Sequence, residues 1–361
     1  MTDKIFARAA CMVAGATLVA SAPALAHDGT HAASHAPIGV MADHSHAKGE
    51  VMVSYRFMHM EMGGNRIGSE SVDADTIATT VPNMFAGMEG QPPTLRVVPT
   101  DMRMDMHMAG IMWAPSDRVT LMAMGSYRTA SMDHVTYMGG MGTMVRGEFT
   151  TKADGFGDTT VGAIVPLVKE KNRREWVVTG AVSIPTGSIS EEDDILTPMG
   201  MMPTVRLPYP MQPGSGTWDL KPSTTYRWQG EKVSIGGQLS AVVRLGENDA
   251  DYALGDRVAA TAWVAYEPAN WISLSTRLAA ASQGRIEGRD ATVMGPVQTA
   301  NPDFHGGDTV DLLFGVNLAG TKGAARGHRL AAEVGFPIVQ DLNGPQMERD
   351  WTLTLGWQKS F

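Results

Sequence analysis

Apolar and polar positions alternate along most of this chain. In the final segment Trp351, Leu353, Leu355, Trp357 and Phe361 form one row, and Thr352, Thr354, Gly356, Gln358 and Ser360 form the other. A period of two predicts a strand with one apolar and one polar face. The same pattern recurs at Val233, Ile235, Leu239, Ala241, Val243 and Leu245, and again at Val310, Leu312, Phe314, Val316 and Leu318. It returns at Leu330, Ala332, Val334, Phe336 and Ile338, at Trp218, Leu220, Tyr226 and Trp228, and at Ile272, Leu274 and Leu278.

Connections between these segments alternate in length. Short ones fall near residues 114–117, 170–174, 229–231, 267–270 and 320–327, and long ones near 63–100, 129–154, 187–214 and 286–306. That rhythm, with Trp113, Trp176, Trp228, Trp271 and Trp351 at strand ends, predicts an all-β fold: a transmembrane antiparallel β-barrel. The count is about 12 strands, with short periplasmic turns and long extracellular loops. A soluble sandwich also alternates, but it predicts neither the loop rhythm nor the aromatic ends.

The N-terminus agrees with export. Lys4 and Arg8 precede an apolar run from Ala9 to Ala22, and Ala24-Leu25-Ala26 is a small-residue cleavage site. Residues 1–26 therefore read as a signal peptide cleaved after Ala26, residues 27–50 as a His-rich flexible segment, and 51–361 as the barrel. Cys11, the single cysteine, lies in the signal, so the mature chain has no disulfide. A net charge of −9 argues against nucleic acid as a partner. The expected location is the bacterial outer membrane, and the expected partners are its lipid and the barrel-assembly machinery.

Short motifs carry a resemblance. Gly155-Phe156-Gly157-Asp158 opens a strand, Ser183-Ile184-Pro185-Thr186-Gly187 closes the next, and Leu342-Asn343-Gly344-Pro345-Gln346 precedes Asp350-Trp351. With the entry strand Tyr55-Arg56-Phe57-Met58-His59-Met60, these resemble the outer-membrane transporters grouped as the "meta-pathway of phenol degradation" family, in a His/Met-rich subgroup. The resemblance implies a barrel and a transport role, and fixes no substrate.

Candidate chemistry lies in the methionines and histidines. Of 26 Met, 18 fall between Met41 and Met144, and eight of ten His fall between His27 and His134. Thioether and imidazole both suit copper. Met58, His59, Met60, Met62, Met104, Met106, His107, Met108, Met122, Met124 and His134 are the candidate ligands, with copper as a bound or transported ion and no required cofactor. In the first strand Val51, Val53, Tyr55 and Phe57 form the apolar row, so Met58, Met60 and Met62 point inward. The 101–113 strand has two possible phases: one turns its methionines inward, and the other turns Asp105 and His107 inward. Expected pore-lining residues are Arg56, Asp219, Lys221, Arg227, Arg244, Arg277, Asp311 and Glu333.

Ser126, His134, Ser131 and Asp133 lie near one another in sequence, but nothing marks them as a catalytic triad, and no enzyme activity is expected. The leading expectation is passive passage or capture of a small solute, copper included. The alternatives are a channel for small organic, aromatic compounds, with Met as an adaptable apolar lining, and a closed structural barrel.

Overall fold

The computed structural model describes residues 31–170 and 174–361. The signal peptide expected at residues 1–26 lies outside them. Eleven long strands form the wall: β1 (Val51–Gly68), β2 (Val97–Ser116), β3 (Val119–Tyr137), β4 (Thr159–Glu170), β5 (Arg174–Ile184), β6 (Ser223–Gln229), β7 (Val233–Arg244), β8 (Arg257–Ala269), β9 (Ile272–Gln283), β10 (Gly307–Ala319) and β11 (His328–Ser360). Each pairs antiparallel with the next, and β11 returns to pair with β1, which closes the barrel. Closure leaves no edge strand in the wall, so its main-chain groups pair strand to strand rather than with lipid.

Eleven antiparallel strands cannot close a ring, because direction must alternate around it. The 33 residues of β11 resolve the parity. Its first half pairs with β10 and its second half with β1. The two halves lie side by side. Gln340 bonds the Arg349 backbone in both directions, the Ser360 amide donates to the Gly327 carbonyl, and Arg329 Nη1 donates to Gln358 Oε1 at 2.7 Å. Gly344, at φ +135°, sits at the bend, a backbone region that favours glycine. The wall therefore has twelve staves, an even number.

The pattern is apolar outside and polar inside. On β9, Leu274 and Leu278 are half exposed, whereas Ser273, Ser275 and Arg277 are buried. On β5, Trp176 and Val178 face out while Glu175, Val177 and Thr179 face in. A soluble protein would invert this, so the outer surface is built for lipid. Among the described residues no helix is long and apolar enough to cross a membrane.

Short turns gather on one rim and long loops on the other. The loop after β1 carries a helix, α1 (Ala74–Thr80), capped by the Asp73 side chain on the Thr76 amide. Ile77, Ala78, Val81, Leu95, Val98, Val135 and Tyr137 make a small core of their own there. β2 and β3 run on into this outer structure, and the outer half of β3 pairs with a further strand, Val145–Phe156. Only Thr120–Met124 of β3 pairs with β4.

The N-terminal segment enters the lumen from the short-turn rim. The Ala32 amide donates to Asn270 O in the β8–β9 turn, and the Lys48 amide donates to Asp117 in the β2–β3 turn. Between these anchors Ala32, Ala33, Ala36, Ile38, Val40 and Ala42 are nearly inaccessible to solvent. Sequence composition pointed to a flexible tail; the wall supplies the order. Arg329 Nη2 donates to Ala36 O at 2.5 Å, Gln238 to Met41 O at 2.7 Å, and the Ser45 amide to Glu175 at 2.9 Å. Polar interior residues thus satisfy a segment too poor in apolar bulk to fold alone.

Candidate functional site

Above this plug the lumen opens into a cavity of about 710 Å³. Eight methionines border it: Met62, Met102, Met104, Met106, Met108, Met124, Met132 and Met347. A second cavity of about 380 Å³ adjoins it below, between the plug residues Gly39, Met41 and Ala42 and an alanine-rich wall on β8 and β9.

Strand register explains the methionine wall. Met62 pairs with Met102 and Met102 with Met132; Met60 pairs with Met104, Met58 with Met106, and Met112 with Met52 and Met122. Directly paired residues point to the same face. The 101–113 phase is therefore settled: Met102, Met104, Met106 and Met108 face inward. Met62, Met104, Met106, Met108 and Met124 border the large cavity and Met122 the small one, while Met58 and Met60 share the inward row.

The histidines do not join them. His59 and His107 occupy the odd, outward row of β1 and β2. His59 bonds Asp105 at 2.6 Å and lies 3.2 Å from Glu61, and Arg103 bonds Glu61 at 2.9 Å. His107 bonds the Tyr55 hydroxyl at 2.7 Å. Adjacency in sequence is opposition in space on a strand, so the expected mixed Met/His ligand set is divided by the wall. His134 faces inward on the outer extension of β3, but its ring stacks on Phe149 at 4.6 Å and 9°.

All eight charged residues expected in the lumen face the interior. Arg227 pairs with Glu175 at 2.8 Å, Arg244 with Asp219 at 2.5 Å, Arg349 with Asp311 at 2.8 Å, and Arg277 with Glu333. Lys221 Nζ donates to Thr160 and Ser183 at 3.2 and 3.1 Å. Arg56 reaches Met41 Sδ and Val40 O in the plug. Asp219, Lys221, Arg244 and Arg349 border the large cavity together with the methionines, and Arg277 and Asp311 border the small one.

Several lining residues escaped sequence reasoning. Tyr209, Phe304 and His305 descend from the long loops, whose entry into the lumen has no periodic signal. Met347 and Arg349 lie at odd positions although the inward row of the last stave is even. A bulge at Asp350 shifts the phase, since Glu61 pairs with Trp351 but Met62 with Arg349. Arg128 ties a loop to the wall by donating to the carbonyls of Pro210 and Gln212.

His305 gives this loop a pH dependence. Its Nε2 donates to Thr299 O at 3.1 Å, and burial pushes its imidazole down from the ordinary 6.5 to about 4. The open loop takes up a proton before the closed one does. Stabilisation present above pH 6.5 is therefore lost as pH falls towards 4. Single-channel conductance of the wild type should rise over that interval, and His305→Gln should remove that part of the response. Identical profiles would show that His305 does not hold the loop.

Comparisons with known proteins agree with this architecture. Residues 97–283, more than half of the chain, match the family described as "Putative MetA-pathway of phenol degradation". The chain belongs to this family, and its fold is that of a bacterial outer-membrane barrel. The COG4313 outer-membrane channel from Pseudomonas putida F1 superposes with a TM-score of 0.58 at 15% identity, covering 88% of this chain and 98% of that one. The toluene transporter TodX of Pseudomonas putida aligns at 10% identity over 86% of this chain and 89% of its own, with a TM-score of 0.43. No curated protein matches the chain in sequence.

Proposed function

We propose that this barrel is a passive channel for small, largely apolar organic molecules of aromatic size. The observation that carries the reading is the cavity of about 710 Å³ walled by eight methionines. Its size falls in the range of about 300–1,000 Å³ usual for small-molecule sites. Thioether chains adapt to irregular apolar guests and make favourable contacts with aromatic rings, worth about 0.3–1.5 kcal/mol each. Tyr209 and Phe304 add aromatic surface, and the charged lining residues keep the rest of the lumen hydrated. The family's description, which refers to phenol degradation, fits a ring-sized solute. The solute passes unchanged in this reading, without catalysis.

Copper, named within the leading expectation of passage or capture of a small solute, finds no support in the comparisons. Its mixed Met/His ligand set is divided, because His59 and His107 stand on the outward row of β1 and β2 and the methionines on the inward row. The cavity retains thioethers with His305 alone for imidazole.

Uptake of a radiolabelled monoaromatic solute into proteoliposomes tests the proposal. Changing Met104 and Met106 together to Leu should leave the rate within about twofold, because volume and polarity are nearly kept. Changing them to Lys should lower it at least ~10-fold, since an apolar guest cannot repay desolvation of a charge. Equal rates for both variants, or no uptake by the wild type, would rule the reading out. A cuprous-ion titration in which the Leu variant bound less metal than the wild type would restore the copper reading.

A further inference from the structure

We propose that the plug carries a binding site for one divalent transition-metal ion of the Zn2+ type, formed by His35, His44 and Asp43. The donor atoms of these three side chains lie within 4.8 Å of one another. Two imidazoles and a carboxylate are a borderline-soft set suited to Zn2+ and poorly suited to Mg2+ or Ca2+. On a tetrahedral ion, with bonds of about 2.0–2.2 Å, donors stand roughly 3.4 Å apart. Side-chain rotations of about 1 Å therefore close the set.

Local structure assembles the three groups from a short loop. The Val40 amide donates to Pro37 O and turns the chain, and Ala42 adopts φ +51°. A non-glycine residue in this left-handed region costs about 1 kcal/mol or more, and such strain clusters at functional sites. The turn brings Asp43 back beside residue 36. Asp43 Oδ2 accepts from the Ala36 amide at 2.9 Å, and Oδ1 lies 2.8 Å from His44 Nδ1. The His35 and His44 rings meet edge to face at 4.6 Å, and His46 packs on His44 at 4.8 Å.

A second observation points to a ligand. His35 Nδ1 and His46 Nε2 are buried nitrogens with no hydrogen-bond partner. Buried polar atoms are rarely left so. Nearby guanidiniums are already engaged: Arg227 with Glu175, and Arg329 with Gln358, Asn317 and Ala36 O. Their charge weakens cation binding, and Asp43 offsets part of it. The expected affinity is therefore moderate, that of an exchangeable ion. By bridging His35 to His44 the ion would fasten the loop 36–43, the part of the plug that floors the 380 Å³ cavity.

The test uses the full mature chain refolded in detergent and stripped with a chelator. Titration with Co2+ should give the visible d–d absorption of a tetrahedral site, displaced by Zn2+ and not by Mg2+. His35→Gln and His44→Gln should each weaken Zn2+ binding at least ~10-fold by calorimetry, as loss of a metal-site group does. His31→Gln, outside the cluster, should leave it unchanged. Heat-modifiable gel migration will confirm that each barrel is folded. No tetrahedral Co2+ spectrum in the wild type would overturn the proposal without reference to any variant, and so would wild-type Zn2+ affinity in both glutamine variants. Solute uptake is not the readout, so failure here leaves the channel reading standing, and the reverse holds.

Discussion

Deleting residues 31–48 should turn the barrel from a poor into an open conductor, with single-channel conductance rising several-fold. The segment is the only part of the described chain that crosses the lumen at the short-turn rim. It fills that end with side chains that are almost wholly buried, Ile38 at 1% and Ala32 at 0% exposure among them. The wall does not depend on it, because the strand ladder closes through β11 and β1. A milder change probes the same seal. A side chain at Gly39 would meet the tips of Arg277 and Glu333, which are joined in a buried ion pair and would have to shift together. Gly39→Leu should therefore lift the loop 36–43 and raise conductance part of the way. Unchanged currents in both proteins would mean that the plug is not the barrier and that the loops around Tyr209 and Phe304 are.

Much of this architecture was legible in the sequence, because a membrane barrel writes its rule at every second residue. Alternation located the staves, and the charged positions between the apolar ones, Arg277 and Glu333 among them, lie on the buried face. What sequence could not supply was phase where both rows look unusual. Met104 and Asp105 compete for the inside on β2, and only pairing with Met60 and His59 decides it. The same limit misled the metal reading. His59 beside Met60 looks like one site in a string of letters and is two surfaces in a strand. Elements whose order comes from their surroundings were also hidden. The segment 31–50 is small and polar, and its fixed course comes from Arg329, Gln238 and Glu175, hundreds of residues away in some cases.

The interior charges predict an asymmetry in stability. Glu333 is 3% exposed and takes both Nε and Nη2 of Arg277. Removing one member of a buried pair usually costs about 3–5 kcal/mol because the other is stranded. Here the two members are not equally stranded. Arg56 and Arg329 also lie within electrostatic reach of Glu333, and neither has a carboxylate bonded to it. With Arg277→Met the carboxylate keeps those two neighbours, so the loss should be small, about 1–2 kcal/mol. With Glu333→Gln the shape is nearly kept, but the amide NH2 cannot accept, so one of the two hydrogen bonds from Arg277 is lost, and Arg277, Arg56 and Arg329 share one fewer counter-charge. That variant should lose the full ~3–5 kcal/mol. The double variant Arg277→Met/Glu333→Leu removes both charges and should recover to within ~1 kcal/mol of the Arg277→Met protein. Urea unfolding of the barrel in lipid vesicles measures all three. If Glu333→Gln proves no worse than Arg277→Met, the arginines around the plug are screened by water, and the interior there is wetter than its burial implies.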